Sequence, residues 1–375
     1  MRDCPSELVL LHAADLHLDR AFTERGLRGS ASARRLALRD ALARIAQLAR
    51  EADVLCLAGD LYEHEHVSAD TEAALVTTFA SVPCRVLLLP GNHDPHLPGS
   101  VYARARWSPN VHVFREARPE PVPVAPGVVV WGIAHTTREL DADVVRRFRA
   151  PADGQVHLLL LHAALAEAPG AGDGGLCTLT SRELEATGVA FALLGHHHAG
   201  RISGRACYPG SPEPLTWGER GVHAVDRLRL VAGVPQPELV AVNRLSFEEI
   251  DVVVTGAASS LDVETRVREA LAPRADDGRS LRVTLRGEVA PACEISSGEL
   301  ARRCGDGFGE LLVEDRTRPA YDLAQIARER TVRGRFVAGL LRRAEAEPER
   351  AERLTAAAHA GLRALDGRRE LLDVG

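Results

Sequence analysis

The chain has 375 residues, 45% hydrophobic and 26% charged, with a formal net charge of −6. That is enough apolar chain for a sizeable buried core and more than one ordinary domain, so two or three units are expected, while the negative balance excludes a whole-surface magnet for nucleic acid. No apolar run approaches ~18 residues and no signal-type segment opens the chain, so neither membrane spanning nor secretion is expected.

Short apolar runs alternate with helical patterns up to about Leu194. Strands are predicted at Leu8–Ala13, Val54–Ala58, Arg85–Leu89, Val128–Ile133, His157–Leu161 and Ala190–Leu194. Between the first two, Leu36, Leu38, Leu42, Ile45 and Leu48 recur at near-helical spacing over Ser32–Glu51, with Ser32 as the expected cap. Thr71–Phe79 repeats the helical pattern. Such alternation predicts an α/β fold with a parallel or mixed sheet under helices and a ligand at the carboxyl ends of the strands. From Gly200 to Leu230 short strands broken by Gly and Pro read as a closing sheet of the same domain. Phe247–Val254, Asp262–Leu271, Ser280–Arg286, Gly298–Cys304 and Glu310–Val313 then read as a small α+β unit, and the chain is helical and charged from Leu323 onward. The expected domains are 1–245, 246–320 and 321–375.

Seven scattered cysteines with no C-x-x-C pair argue against a disulfide framework or a zinc finger and for free thiols in a reducing cytoplasm. Each predicted strand of the first domain ends instead in a polar cluster. Asp15-Leu16-His17 and His196-His197-His198 are x-separated pairs whose outer members, in extended backbone, would face one way and reach one metal. Gly59-Asp60 and Gly91-Asn92-His93-Asp94 put glycine where a strand must turn and approach an ion or phosphate, and His162 ends the run Leu158–Leu161. Carboxylate, imidazole and amide oxygen are the donors of borderline and hard divalent cations. His12, His64, His66, His96, His135, His157, His197 and His223 lack this placement and read as surface or strand-packing residues.

These pieces, D-x-H, G-D, G-N-H-D, a lone H and G-H-x-H in that order, resemble the signature of the calcineurin-like metallophosphoesterases. The resemblance implies an α-β-β-α sandwich with two divalent cations, Mn²⁺ foremost and Mg²⁺ as the alternative. It implies that Asp60 bridges them, that Asp15, His17 and His198 complete one site, and that Asn92, His162 and His196 complete the other. His93, paired with Asp94, would be the imidazole that acts on the reacting phosphate without binding metal. Two cations ~3.5–4 Å apart lower the pKa of a water towards ~7 and stabilise the attacking and leaving oxygens, which addresses the charge barrier of an anionic ester.

The flanks around Asp15, Ala58-Gly59-Asp60-Leu61-Tyr62 and Tyr208-Pro209-Gly210-Ser211-Pro212-Glu213-Pro214-Leu215 resemble the SbcD-like DNA repair exonuclease branch, especially its YhaO-like members. So does the tail from Gly334-Arg335-Phe336-Val337 to Gly367. That branch implies a capping domain that selects DNA and C-terminal helices that dock on a coiled-coil ATPase of the SbcC type. A self-contained helix pair and a homodimer contact are equally compatible with an amphipathic tail. One departure stands out: three residues after Asp60, where nuclease members commonly carry Asp or His, this chain has Glu63, followed by His64-Glu65-His66. Three functions are carried forward: a DNA exonuclease subunit, a phosphatase or nucleotidase of small molecules, and a non-catalytic scaffold that binds DNA ends or an ATPase.

Overall fold

The computed structural model describes residues 5–23, 31–167, 177–220 and 223–366. The chain divides into two compact units, Met1–Phe247 and Glu248–Gly375.

In the first unit two sheets lie face to face. One has seven strands, in the order Val234–Gln236, Ala224–Val231, Glu7–Ala13, Val54–Ala58, Arg85–Leu89 and Val111–Val113, with Leu239–Ala241 also on Ala224–Val231. Its central strands, from Glu7–Ala13 to Val111–Val113, are parallel, and Ala224–Val231 runs antiparallel to the first of them. The other sheet has six strands, in the order Arg201–Ser203, Ala206–Tyr208, Phe191–Gly195, Val156–His162, Val128–Ile133 and Glu120–Ala125, parallel except at its two edges.

Strand alternation explains the packing. Leu8, Leu10, Val54, Cys56 and Leu87 from one sheet meet Val128, Val130, Leu158, Leu160 and Leu193 from the other in one buried core. The opposite side chains of the second sheet, Leu159, Leu161, Ala192 and Leu194, pack under Leu140, Val145 and Leu184 beside the short helices Ala142–Arg147 and Ser181–Ala186. Helices Ala31–Leu48 and Ala69–Ser81 bury Leu38, Leu42, Ile45, Leu75 and Phe79. The result is the expected α-β-β-α arrangement.

Three local readings differ. Ser32 lies inside the first turn of its helix, which starts at Ala31, so it does not cap it. The short strands beyond Gly200 form no sheet of their own: Arg201–Ser203 and Ala206–Tyr208 extend the second sheet, whereas Ala224–Val231 and its two antiparallel neighbours extend the first. Glu120–Ala125 was hidden by Pro121 and Pro123, which an edge strand tolerates because half of its N–H groups need no ladder partner.

The second unit has a three-stranded sheet, Ser246–Val253, Asp276–Arg286 and Phe308–Asp315, with the last two strands parallel. Val263, Val267 and Leu271 of helix Ser260–Leu271 and Leu300 of helix Ser297–Cys304 join Leu281, Val283, Leu285 and Val313 in its core. Helices Val332–Ala346 and Ala351–Leu365 share a smaller core of Tyr321, Ile326, Val337 and Leu362. Gly367 lies outside the described residues. No helix among the described residues is long and apolar enough to cross a membrane. Cys56, Cys84, Cys177, Cys207, Cys293 and Cys304 are buried free thiols, and Cys4 lies outside the described residues.

Candidate metal centre

Parallel pairing brings the carboxyl ends of Glu7–Ala13, Val54–Ala58 and Arg85–Leu89 to one edge of the first sheet, and those of Val156–His162 and Phe191–Gly195 to one edge of the second. The loops that follow continue the pairing. Asp15 N–H donates to the Gly59 carbonyl at 3.1 Å, His17 N–H to that of Asp60 at 2.9 Å and Leu18 N–H to that of Leu61 at 3.1 Å. The backbone there is not extended, contrary to the x-separated reading. Asp15, His17, Asp60 and His196 have φ of 55°, 44°, 52° and 109°, in the half of φ space that side chains avoid. Convergence therefore comes from left-handed turns that the surrounding packing holds, a form of strain typical of functional sites.

Glycine permits the close approach. A Cβ on Gly195 would overlap the Ala58 carbonyl oxygen, and one on Gly91 would overlap Asp60 Oδ1. Gly195→Ala is expected to destabilise the fold by about 1–3 kcal/mol, read from the urea midpoint, since the nearest obstacle is backbone rather than a movable side-chain tip. An unchanged midpoint would mean that the two sheet edges separate freely.

Seven side chains chosen from the sequence meet at this edge. Asp15, His17 and His198 offer ligand atoms within 4.8 Å of one another, and so do Asp15, Asp60 and His162. Asp60 Oδ2 lies between the groups, 3.6 Å from His17 Nε2 and 3.3 Å from His162 Nε2. Asn92 Oδ1 is 2.9 Å from His162 Nε2, and the His196 ring stands edge-on to that of His162 with centroids 5.5 Å apart. Both Asp15 oxygens accept from His196 N–H at 3.0 Å.

The outer nitrogens of three imidazoles are fixed. His162 Nδ1 donates to the Ala58 carbonyl at 2.8 Å, His17 Nδ1 faces Glu63 Oε1 at 2.9 Å and His198 Nδ1 faces Glu219 Oε1 at 2.8 Å. When the rings are neutral, acceptors on Nδ1 leave Nε2 with a lone pair, and all three Nε2 atoms point inward at oxygen or at another Nε2. Lone pairs turned on oxygens and on each other fit cations as their common partner, with the outer acceptors in the role of orienting groups.

Residues 8–200 match the calcineurin-like phosphoesterase family. The chain belongs to that family. Over 272 residues it is 26% identical to the uncharacterized metallophosphoesterase YhaO of Bacillus subtilis (strain 168), a match that covers 67% of this chain and 64% of that relative's length. The crystal structure of a dimetal phosphatase from Danio rerio is similar over 63% of this chain and 98% of that one, with 14% identity and a TM-score of 0.36.

The structure differs from the sequence expectation at His93. Its Nδ1 pairs with Glu63 Oε2 at 2.9 Å, so Glu63 and not Asp94 is its carboxylate partner, and the same Glu63 also holds His17. Asp94 is wholly buried and turned inward, where it accepts from the N–H groups of Gly91 at 2.7 Å, Asp60 at 3.0 Å and Leu61 at 2.6 Å and from the Tyr102 hydroxyl at 2.6 Å. It clasps the Gly59-Asp60 loop to the Gly91-Asn92 loop. Asp94→Ala is expected to cost about 3 kcal/mol or more in denaturant unfolding, because several buried donors lose their acceptor at about 1–3 kcal/mol each. A loss below 1 kcal/mol would show that water replaces the carboxylate.

The electrostatics follow from burial and pairing. Burial disfavours a charged His162, yet the Asp60 carboxylate outweighs it and holds the pKa up at about 10. Burial likewise raises Asp60, but His162 holds it well below the usual carboxylate range. Burial, aided by His162, lowers His196 to about 3. Burial raises the Glu63 carboxyl, and its bonds to His17 and His93 more than reverse this. Among the histidines set aside, His135 is buried with Nε2 2.9 Å from the His162 carbonyl oxygen, and His197 packs edge-on to Tyr208 at 4.8 Å. In sequence Glu63 stands out only as a departure from the nuclease pattern, and Glu219 carries no motif signal.

Proposed function

We propose that this phosphoesterase is a DNA phosphodiesterase working with two divalent cations, Mn²⁺ or Mg²⁺, held by Asp15, His17, Asp60, Asn92, His162, His196 and His198. The observation that carries the metal reading is the single Asp60 oxygen lying between His17 Nε2 and His162 Nε2. When bound, two cations lower the pKa of water and offset the negative charge of the phosphate. The chain's own residues do the rest. Asp15 and Asp60 supply the compensating negative charge from buried positions, and Glu63 orients His93. With Nδ1 committed to Glu63 and its side chain 42% exposed, His93 can hold or give a proton at a phosphate oxygen through Nε2.

That exposure suits a phosphate carried on a polymer, which need not enter a deep pocket. DNA as substrate is further supported by the flanking motifs and by a second folded unit after the phosphoesterase unit. The partner we propose is a coiled-coil ATPase of the SbcC type docking on the C-terminal helices. Val332 and Leu365, 78% and 52% exposed there, support a helix-face contact.

The test is incubation of metal-loaded protein with labelled double- and single-stranded DNA, mononucleotides and an aryl phosphodiester, with and without such an ATPase. Metal-dependent shortening of DNA is expected. Turnover of mononucleotides but of no polynucleotide under either condition would replace this reading with a small-molecule phosphatase, and a homodimer in sedimentation would reassign the helices.

A further inference from the structure

We infer that Glu219 is a positioning residue of the metal centre, fixing the His198 imidazole with its Nε2 turned inward. The inference rests on the two-cation reading above. Glu219 stands 21 residues beyond His198 and outside residues 8–200, the segment that matches the family. A carboxylate only accepts hydrogen bonds, so the 2.8 Å contact of Oε1 requires the proton of a neutral His198 to sit on Nδ1. The carboxylate is itself held: Oε2 accepts from Leu215 N–H at 2.7 Å and Oε1 from the Thr216 hydroxyl at 3.3 Å. The segment that supplies these donors contains Pro212 and Pro214, whose fixed φ limits the loop's freedom to swing the carboxylate away.

Glu63 does the same for His17 from the other side, with Oε1 2.9 Å from Nδ1. The two carboxylates therefore point His17 Nε2 and His198 Nε2 at each other, 3.2 Å apart. Two such lone pairs repel unless a positive centre lies with them, so the clamp holds in place a geometry the rings would leave on their own. Glu219 touches no reacting atom and acts through His198, as carboxylates behind ligating histidines do.

The test uses the full chain, stripped of metal at pH 8 with ¹⁵N-labelled histidine. The His198 ring is expected to show the Nδ1–H tautomer in the wild type and a mixture in Glu219→Gln. Calorimetric titration with Mn²⁺ should show one of two binding events weakened about 10–100-fold in Glu219→Gln and the other unchanged. In a His198→Ala background the Glu219→Gln change should cost nothing further, which a merely structural role of Glu219 would not give. An Nε2–H tautomer in the wild type, both affinities within twofold, or additive losses in the double variant would each overturn the inference. Should Glu219→Gln fail to fold, the wild-type tautomer and a Glu219→Asp variant decide it. Fewer than two Mn²⁺ bound by the wild type would count against the two-cation reading, and the tautomer would still be read independently.

Discussion

Asp60→Ala is expected to lose both cations at once and to lower turnover by more than about 10³-fold. Outer groups behind metal ligands are worth about 10–100-fold, and a ligand shared by two cations must exceed that. Three contacts converge on this carboxylate. Oδ2 lies near His17 and His162, while Oδ1 accepts from His93 N–H at 2.9 Å. Removal thus deletes the negative charge between the imidazoles and releases the backbone that carries His93. Asp60→Asn separates the two losses: its amide oxygen can still accept from His93 N–H, but the charge is gone. Mn²⁺ calorimetry on the stripped protein, with circular dichroism as a check on folding, reads the result. Two cations bound by Asp60→Ala within tenfold of the wild-type affinities would remove Asp60 from the bridge.

The positions that converge were legible because each is an Asp, Asn or His placed after an apolar run, and parallel strands carry such positions to one edge. How the side chains converge was not legible. Alternation along a strand is written in the sequence, but the left-handed turns at Asp15, His17, Asp60 and His196 are set by packing against neighbouring loops. The same holds for pairings made across long separations. Glu63 lies 46 residues from His17 and 30 from His93, and no periodicity links them. Asp94 misled for a related reason: adjacent to His93 in sequence, it is turned away from it by the backbone donors of Gly91, Asp60 and Leu61.

His93→Ala is expected to keep both cations and to lose about 10²–10⁴-fold in turnover, the range of a positioned general acid. His17, Glu63 and His93 also offer ligand atoms within 4.8 Å of one another, but His93 Nδ1 is taken up by its bond to Glu63, so the metal titration should be unchanged. Glu63→Gln should differ in kind, because one carboxylate serves both rings: it frees His93 and also loosens His17, so metal affinity and turnover fall together. The leaving group separates protonation from charge stabilisation. If His93 gives its proton to the departing oxygen, the loss in His93→Ala should shrink sharply for a p-nitrophenyl diester, whose leaving group needs no proton, and remain full for DNA. An equal loss on both substrates would place His93 on the charge of the phosphate itself, and a fully active His93→Ala enzyme would remove it from the mechanism. The coupling through Glu63 then predicts the order of the variants on DNA: His93→Ala alters chemistry alone, and Glu63→Gln alters chemistry through the same ring and metal through the other.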